Sequence, residues 1–282
     1  MVSFFLTSFS NHLFQILSIE TEVTIHRICK CFKCKFGVNY KHMNLKDKIV
    51  LITGATGGIG YELCKAFNEK GAKIIAVART QEKLDKIAGE LNNPQNIYLQ
   101  CDFTKNEDLV NVTEKIASSV DKIDVLINAA GVGVYKSLEE VEIAEWEESM
   151  AINVNAPFFL MKKLLPLLKK SEKSVVINIG SGMGKIPTAC RSVYCSTKYA
   201  LRGLTLSLAS EFNNSNVHFM HIALGSTLTE FGPMSLEEKK AENLDGKSYF
   251  TPEWVAKKFI HIVENDEIQE EIEIYPTDYK DN

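Results

Sequence analysis

The chain has 282 residues, 45% of them hydrophobic and 24% charged, which suits a soluble globular protein of one large domain or two small ones. A formal net charge of −4 and a pI near 5.9 argue against a nucleic-acid binder, which would carry a basic face. Seven cysteines, an odd number scattered along a chain of this size, do not make a disulfide framework, and a reducing, cytoplasmic setting is expected.

The amino-terminal segment differs from the rest. Arg27, Lys30, Lys33, Lys35 and Lys41 outweigh Glu20 and Glu22 to give +3 there, which leaves −7 for the remainder. Between Phe4 and Ile19 the apolar residues are interrupted by Thr7, Ser8, Ser10, Asn11, His12 and Gln15, too broken a run to cross a membrane. It also lacks the charged start and cleavage site of a signal peptide, so a weak interfacial helix is the only membrane reading left. Cys29, Cys31 and Cys34, even joined by His26, lack the paired spacing of a zinc site, and no metal is expected. Residues 1–43 read as an extension, poorly ordered or not native, with Met43 a candidate true start; a single domain then spans 44–282.

From Lys48 onward short apolar runs alternate with amphipathic stretches, the pattern of βαβ units. Strands are expected at Ile49–Thr53, Lys73–Val77, Ile97–Cys101, Val125–Asn128, Val175–Ile179 and Val217–Ala223, with a short last one near Glu271–Tyr275. Helices are expected at Gly58–Lys70, Gln81–Leu91, Asn106–Ser119, Ile143–Lys170, Ser192–Asn213 and Pro252–Glu264. Near-continuous Ile, Val and Leu in the strands suits a sheet covered on both faces. The expected fold is α/β: a single doubly wound Rossmann-type domain, a parallel sheet of seven strands with helices on both faces. Cys64, Cys101, Cys190 and Cys195 fall inside periodic stretches of the sequence and read as small buried hydrophobes or bystanders.

Where the first strand should turn into the first helix stands Thr53-Gly-Ala-Thr-Gly-Gly-Ile-Gly60. Glycines at 54, 58 and 60 remove side chains where backbone must approach a pyrophosphate, and the helix N-terminus supplies N–H donors. Read as T-G-x-x-x-G-x-G, the turn resembles the classical branch of the short-chain dehydrogenase/reductase family. Gly57 also permits T-G-x-x-G-x-x-G, the version of extended members such as sugar epimerases. Thr53, Gly54, Gly58, Ile59 and Gly60 are the candidate cofactor-binding residues of this turn.

Strand two ends Ala76-Val-Ala-Arg79-Thr80, with no carboxylate to accept from a ribose 2′-hydroxyl. Arg79 instead offers a planar fork suited to a 2′-phosphate, so NADP(H) is favoured over NAD(H). Thr56 stands where many NADP-preferring relatives carry a second basic residue. Asp102, closing strand three, matches the family position beside the adenine ring; a capping role is also open to it. Asn128-Ala-Ala-Gly131 resembles the family's N-N-A-G. Asn128 is expected to brace the sheet through backbone hydrogen bonds, and Gly131 to let the cofactor approach.

Ala151-Ile-Asn153-Val-Asn155 matches the helix that carries the family's active-site asparagine, Asn153 by register, with Asn155 the alternative. Ser181 lies at the end of strand five and thirteen residues before Tyr194. Tyr194 and Lys198 stand at i and i+4 and so share a helix face. The same spacing at Tyr61 and Lys65 has no serine or asparagine beside it and reads as helix surface. A free phenol titrates near about 10, and a neighbouring ammonium with an oxidised nicotinamide would favour the phenolate. Ser181 would donate to the substrate oxygen. The resemblance further implies that Lys198 binds the nicotinamide ribose and that Asn153 positions a relay water. It also implies that Thr229, in Leu224-Gly225-Ser-Thr-Leu-Thr229, meets the carboxamide. Leu224 replaces the usual proline of that motif and is expected to loosen the strand end.

Residues 231–250 are expected to form a lid, with Phe231, Met234, Leu236, Leu244, Tyr249 and Phe250 as its apolar lining and Glu237-Glu-Lys-Lys240 as a solvated face. The function implied is NADP(H)-dependent hydride transfer between nicotinamide and a small-molecule carbonyl or secondary alcohol, an apolar one if the lid lines the site. Alternatives are a 3-oxoacyl-acyl-carrier-protein reductase and, without turnover, an NADP-sensing regulator. A sugar-nucleotide epimerase is disfavoured by the Ser–Tyr interval. The family resemblance implies a homodimer or homotetramer.

Overall fold

The computed structural model describes residues 42–245 and 248–276. The expectations for residues 1–41, including the Cys29–Cys34 cluster, and for the chain past Pro276 lie outside the described residues. The domain is tied down from its first described residues. Leu45 is buried, and the Met43 N–H donates to the Glu264 carbonyl at 3.0 Å.

The strands are β1 (Ile49–Thr53), β2 (Lys73–Ala78), β3 (Ile97–Gln100), β4 (Val125–Asn128), β5 (Ser174–Ile179), β6 (Val217–Leu224) and β7 (Glu271–Ile274). They form one sheet in the order β3-β2-β1-β4-β5-β6-β7, every pairing parallel. The chain therefore winds outward from β1 to β3, returns to the far side of β1, and winds outward again from β4. That reversal opens a crevice at the carboxyl ends of β1 and β4, where ligands bind in such sheets.

The helices are α1 (Gly58–Glu69), α2 (Gln81–Leu91), α3 (Asn106–Ser119), α4 (Ile143–Met150), α5 (Ala156–Lys169), α6 (Ser192–Glu211), α7 (Leu236–Leu244) and α8 (Pro252–Glu264). One core cluster packs α1 and α8 on the sheet through Leu63, Phe67, Val255 and Phe259. The other packs α3, α5 and α6 on the opposite face through Val112, Ile116, Leu164 and Ala209. Alternate strand residues face the two clusters, Val50 and Ile52 one way and Leu51 the other, so the continuous apolar runs feed two cores. A fully buried side chain of this size contributes roughly 1.5–3 kcal/mol.

The helix expected from Ile143 to Lys170 is not one helix. A π-helical turn, Ala151–Asn155, separates α4 from α5. Pro157 has no N–H to give the Asn153 carbonyl four residues back, and the ladder takes up wider spacing there. A second difference lies at Leu224, where the strand end was expected to loosen. Leucine keeps the N–H that proline lacks, β6 runs on through Leu224 opposite Ile274, and the Gly225 N–H donates to the Ile274 carbonyl at 2.8 Å.

Two expectations for 231–250 are corrected as well. Lys239 is not on a solvated face: it is buried, and its ammonium donates to the carbonyls of Thr229, at 2.7 Å, and Phe231. Phe250 is no lid residue either. It is fully buried in the core and stacks on Trp254 at 4.5 Å between ring centroids. Leu244, by contrast, is 87% exposed. Of the four cysteines Cys190 alone is exposed, at φ 58°.

Candidate active site

The glycine turn is shaped by what side chains would strike. Gly54 adopts φ 65°, and a Cβ there would stand 2.7 Å from the Cα of Ala130. A Cβ on Gly60 would stand 2.1 Å from the Gly54 carbonyl oxygen. The turn ends at the N-terminus of α1, whose N-cap Gly57 offers no side-chain cap and whose first turn holds no acidic residue. Those N–H groups, at the mouth of the crevice, are donors for an anion. Gly58 lies under Thr229: its missing Cβ would be 2.6 Å from the Thr229 methyl. The segment after β6 thus closes over the cradle, held by Lys239 from below.

Thr53 does not face the crevice. Its hydroxyl accepts from the N–H groups of Ala129 and Ala130, at 3.1 and 3.2 Å, and joins β1 to the end of β4. This supplies an anchor beside the alanine that replaces the family's second asparagine. Asn128 sits in the ladder between Thr53 of β1 and Asn178 of β5, and its side-chain amide adds a bond to Asn178 Oδ1 at 2.7 Å. Both lie in the sheet interior. At the end of β2, Arg79 is exposed and forms no ion pair among the described residues. Asp102 accepts from the hydroxyl and N–H of Thr104, at 2.8 and 3.1 Å, which makes it a turn former. Despite its burial cost, these bonds and then Lys105 and Arg79 hold its carboxyl below the usual range. Ile59 is half-buried on the first turn of α1.

Beyond the cradle the expected residues converge. Ser181, two residues past the end of β5, accepts from the Met183 N–H at 3.2 Å and lies near enough to the Tyr194 phenol to favour its ionised form. The Lys198 ammonium lies 5.6 Å from the centroid of the Tyr194 ring and donates to the Ile179 carbonyl at 2.8 Å. It is also 4.0 Å from where a Cβ on Gly131 would stand. Since Gly131 follows the Ala130 that abuts Gly54, the cradle and the lysine are neighbours across one backbone strand.

The π turn sets Asn153 into this cluster. Its Oδ1 accepts from the Val132 N–H at 2.9 Å, while its Nδ2 donates to the Val132 carbonyl at 2.8 Å and to Thr197 Oγ1 at 3.0 Å. Both amide hydrogens are committed, so Asn153 clasps the segment after β4 to α6. A water held by Asn153 has only its carbonyl and one Oδ1 lone pair to use. Asn155 is exposed.

Electrostatics differ from the sequence expectation in one respect. Burial pushes the Tyr194 phenol well above its ordinary value, with Tyr135 adding to the rise and Ser181 opposing it. The protein's own groups do not deliver the expected depression, because Lys198 is directed at a carbonyl and is itself lowered by burial to about 8. Tyr61 is elsewhere. Its phenol donates to Glu90 at 2.6 Å, and that bond raises it to about 12. The i, i+4 pairing with Lys65 has no serine near it.

Sequence reasoning missed three residues here. Tyr135 packs edge-on to Tyr194 with centroids 5.5 Å apart, Arg191 stacks on Tyr135 at 4.3 Å, and Lys239 clamps the segment over the cradle. The place of Arg191, three residues before the phenol, was the one signal available. Among the described residues no group of His, Cys, Asp and Glu is arranged to hold a metal ion, and no helix is long and apolar enough to cross a membrane.

Comparison with known proteins agrees with this arrangement. Residues 48–240 match the family model described as short chain dehydrogenase. An uncharacterized oxidoreductase of Thermotoga maritima is 34% identical over 191 residues, which cover 67% of this chain and 75% of that protein. Among solved structures, an alcohol dehydrogenase from the archaeon Thermococcus sibiricus, complexed with 5-hydroxy-NADP, superposes with a TM-score of 0.73 at 26% identity. That match covers 84% of this chain and all 100% of the other. A 3-ketoacyl-(acyl-carrier-protein) reductase from Brucella melitensis, complexed with NADH, shares the fold with a TM-score of 0.73 at 24% identity, over 82% of this chain and 98% of its own. With the family model spanning most of the domain and the glycine turn, serine, tyrosine and lysine all at its crevice, the chain belongs to the short-chain dehydrogenase/reductase family of oxidoreductases.

Proposed function

We propose that the protein reduces a carbonyl compound, or oxidises the matching secondary alcohol, with NADP(H), using Tyr194 as the acid–base. The observation that carries this reading is the convergence of Ser181, Tyr194 and Lys198 in one place, with Lys198 5.6 Å from the Tyr194 ring and one strand away from the glycine turn. The residues fit a dinucleotide: an uncapped helix N-terminus for the pyrophosphate, glycines that no side chain could replace, and an unpaired Arg79 for a 2′-phosphate. When bound, the nicotinamide supplies or accepts the hydride.

Around it the chain's own groups divide the work. Ser181 donates to the substrate oxygen and stabilises charge as it develops there. Tyr194, its phenol raised by burial, keeps its proton through the neutral range and gives it to that oxygen during reduction. In oxidation the same atom takes the proton back. Lys198, lowered by burial to about 8, remains largely charged at neutral pH and stabilises the phenolate left after transfer. Asn153 and Thr197 fix the segment after β4 against α6, so that these groups keep their spacing. Preference for NADP(H) rests on Arg79 alone, since the solved neighbours carry either form of the nicotinamide.

The test is turnover of simple ketones and aldehydes with NADPH, followed by absorbance of the reduced ring. Tyr194→Phe should lose about 10³-fold or more in kcat and still bind NADPH, as judged by fluorescence. Tyr61→Phe should stay within about twofold of the parent, as expected for a surface group away from the chemistry. Full activity in Tyr194→Phe would end this reading.

A further inference from the structure

We propose that Arg191 is a carboxylate-binding residue of the substrate site, so that the preferred substrates are oxo acids or hydroxy acids and not neutral ketones. This rests on the catalytic reading above. Its starting point is a cation without a counter-charge. The Arg191 guanidinium is half-buried at the N-cap of α6, three residues before Tyr194, and it forms no ion pair among the described residues. Among the described residues its one hydrogen-bond contact is a soft one, Nη1 to the Met183 sulfur at 3.6 Å.

The group is nevertheless held in place. Its central carbon sits 4.3 Å over the Tyr135 ring, and Tyr135 in turn packs edge-on to Tyr194 with centroids 5.5 Å apart. Phe231 also tilts against Tyr194, at 5.7 Å, and Gly232, at φ 85°, brings backbone to within 3.0 Å of Tyr135 measured from its missing Cβ. Two aromatic rings thus contact Tyr194, and the guanidinium lies over one of them. Contact through the central carbon and one weak bond to sulfur leave most of the guanidinium N–H groups without an oxygen partner among the described residues, and such a fork pairs bidentately with a carboxylate. A side chain already immobilised loses little entropy when it binds. The first turn of α6 contains no acidic residue and adds its positive end.

The arrangement also sets a length. One aromatic ring separates the phenol from the guanidinium, so the carboxylate would stand a few bonds from the reacting carbon. Four-carbon and five-carbon oxo acids span the gap, with the hydrocarbon between them lying along Tyr135 and Phe231. A neutral ketone of equal size would fit the rings and leave the guanidinium solvated.

The experiment compares 4-oxopentanoate with its methyl ester, and 3-oxobutanoate with its methyl ester. kcat/KM is measured with NADPH, and binding to the protein plus NADP+ is measured by saturation-transfer NMR. The acids should exceed their esters by about tenfold or more in kcat/KM, as a charge-assisted pair allows. Arg191→Met should raise KM for the acids by a similar factor, and should raise it for the acids far more than for the esters. Arg191→Lys should recover only part of the preference. Equal kcat/KM for acid and ester, or a preference that survives in Arg191→Met, would overturn the proposal. Acid binding that needs Arg191 but leads to no turnover would preserve the subsite and instead sink the catalytic reading. Failure of both acids to bind would remove the subsite.

Discussion

Lys198 donates to the backbone carbonyl of Ile179 at 2.8 Å, and among the described residues no carboxylate lies at hydrogen-bond distance from its ammonium. A buried cation balanced only by a neutral dipole is costly, and burial accordingly lowers Lys198 to about 8.

That cost predicts a stability effect with a definite sign. Between about 8 and the ordinary value of 10.5 the folded protein binds fewer protons at Lys198 than the unfolded chain does, so stability rises with pH across that window. Below it the full penalty, about 3 kcal/mol, is present. Lys198→Met should remove that penalty while orphaning the Ile179 carbonyl, which offsets about 1 kcal/mol. Chemical denaturation at pH 7 should show the variant more stable by about 2 kcal/mol, and inactive. A destabilised Lys198→Met would show that the ammonium is better solvated than its burial implies.

Arg79 decides the cofactor in this reading. Arg79→Asp should raise KM for NADPH by about tenfold to a hundredfold and improve NADH, because a carboxylate repels a 2′-phosphate and accepts from a 2′-hydroxyl. The ratio of kcat/KM values for the two cofactors is the quantity to measure. If the ratio stays where it was, the phosphate does not sit on this side chain.

Gly180, just past the end of β5, and His221, on β6, are a size-matched pair. A Cβ on Gly180 would stand 2.0 Å from His221 Nε2, a buried atom with no hydrogen-bond partner, while Nδ1 faces Glu271 at 3.1 Å. Gly180→Ala should therefore destabilise by about 1–3 kcal/mol. It should also depress kcat, since Ser181 is the next residue. Adding His221→Ala opens the space, and the double variant should be more stable than the sum of the singles by about 1 kcal/mol or more. Simple additivity would mean that the two residues do not interfere.

Lys239 gives the segment over the cradle its fixed position. Lys239→Met keeps most of the buried stem and drops the two bonds to Thr229 and Phe231. With Thr229 no longer pressed on Gly58, KM for NADPH should rise by about tenfold, on the scale of one or two lost charge-assisted bonds. Limited proteolysis should cut near residues 230–245 sooner than in the parent. Unchanged KM and unchanged cleavage would show that the clamp is incidental.

What the amino-acid order determined on its own is local. Alternating apolar runs specify the strands, and α2, α3 and α8 begin and end where their patterns do, because periodicity and capping act over one or two turns. The glycine turn was legible for the same reason: only the absence of side chains permits its approach to Ala130. The interval from Ser181 to Tyr194 and the i, i+4 step to Lys198 are likewise written in the chain. Three-dimensional packing decided the rest. Tyr61 and Tyr194 share a spacing, and only the sheet's winding puts one beside Glu90 and the other beside Ser181. Lys239 reads as a solvated charge until the fold brings two orphan carbonyls to it. Asn153 becomes a clasp through Val132, distant in sequence. The sign of the Tyr194 shift also belongs to the fold, since desolvation depends on everything that surrounds a group and not on its neighbours along the chain.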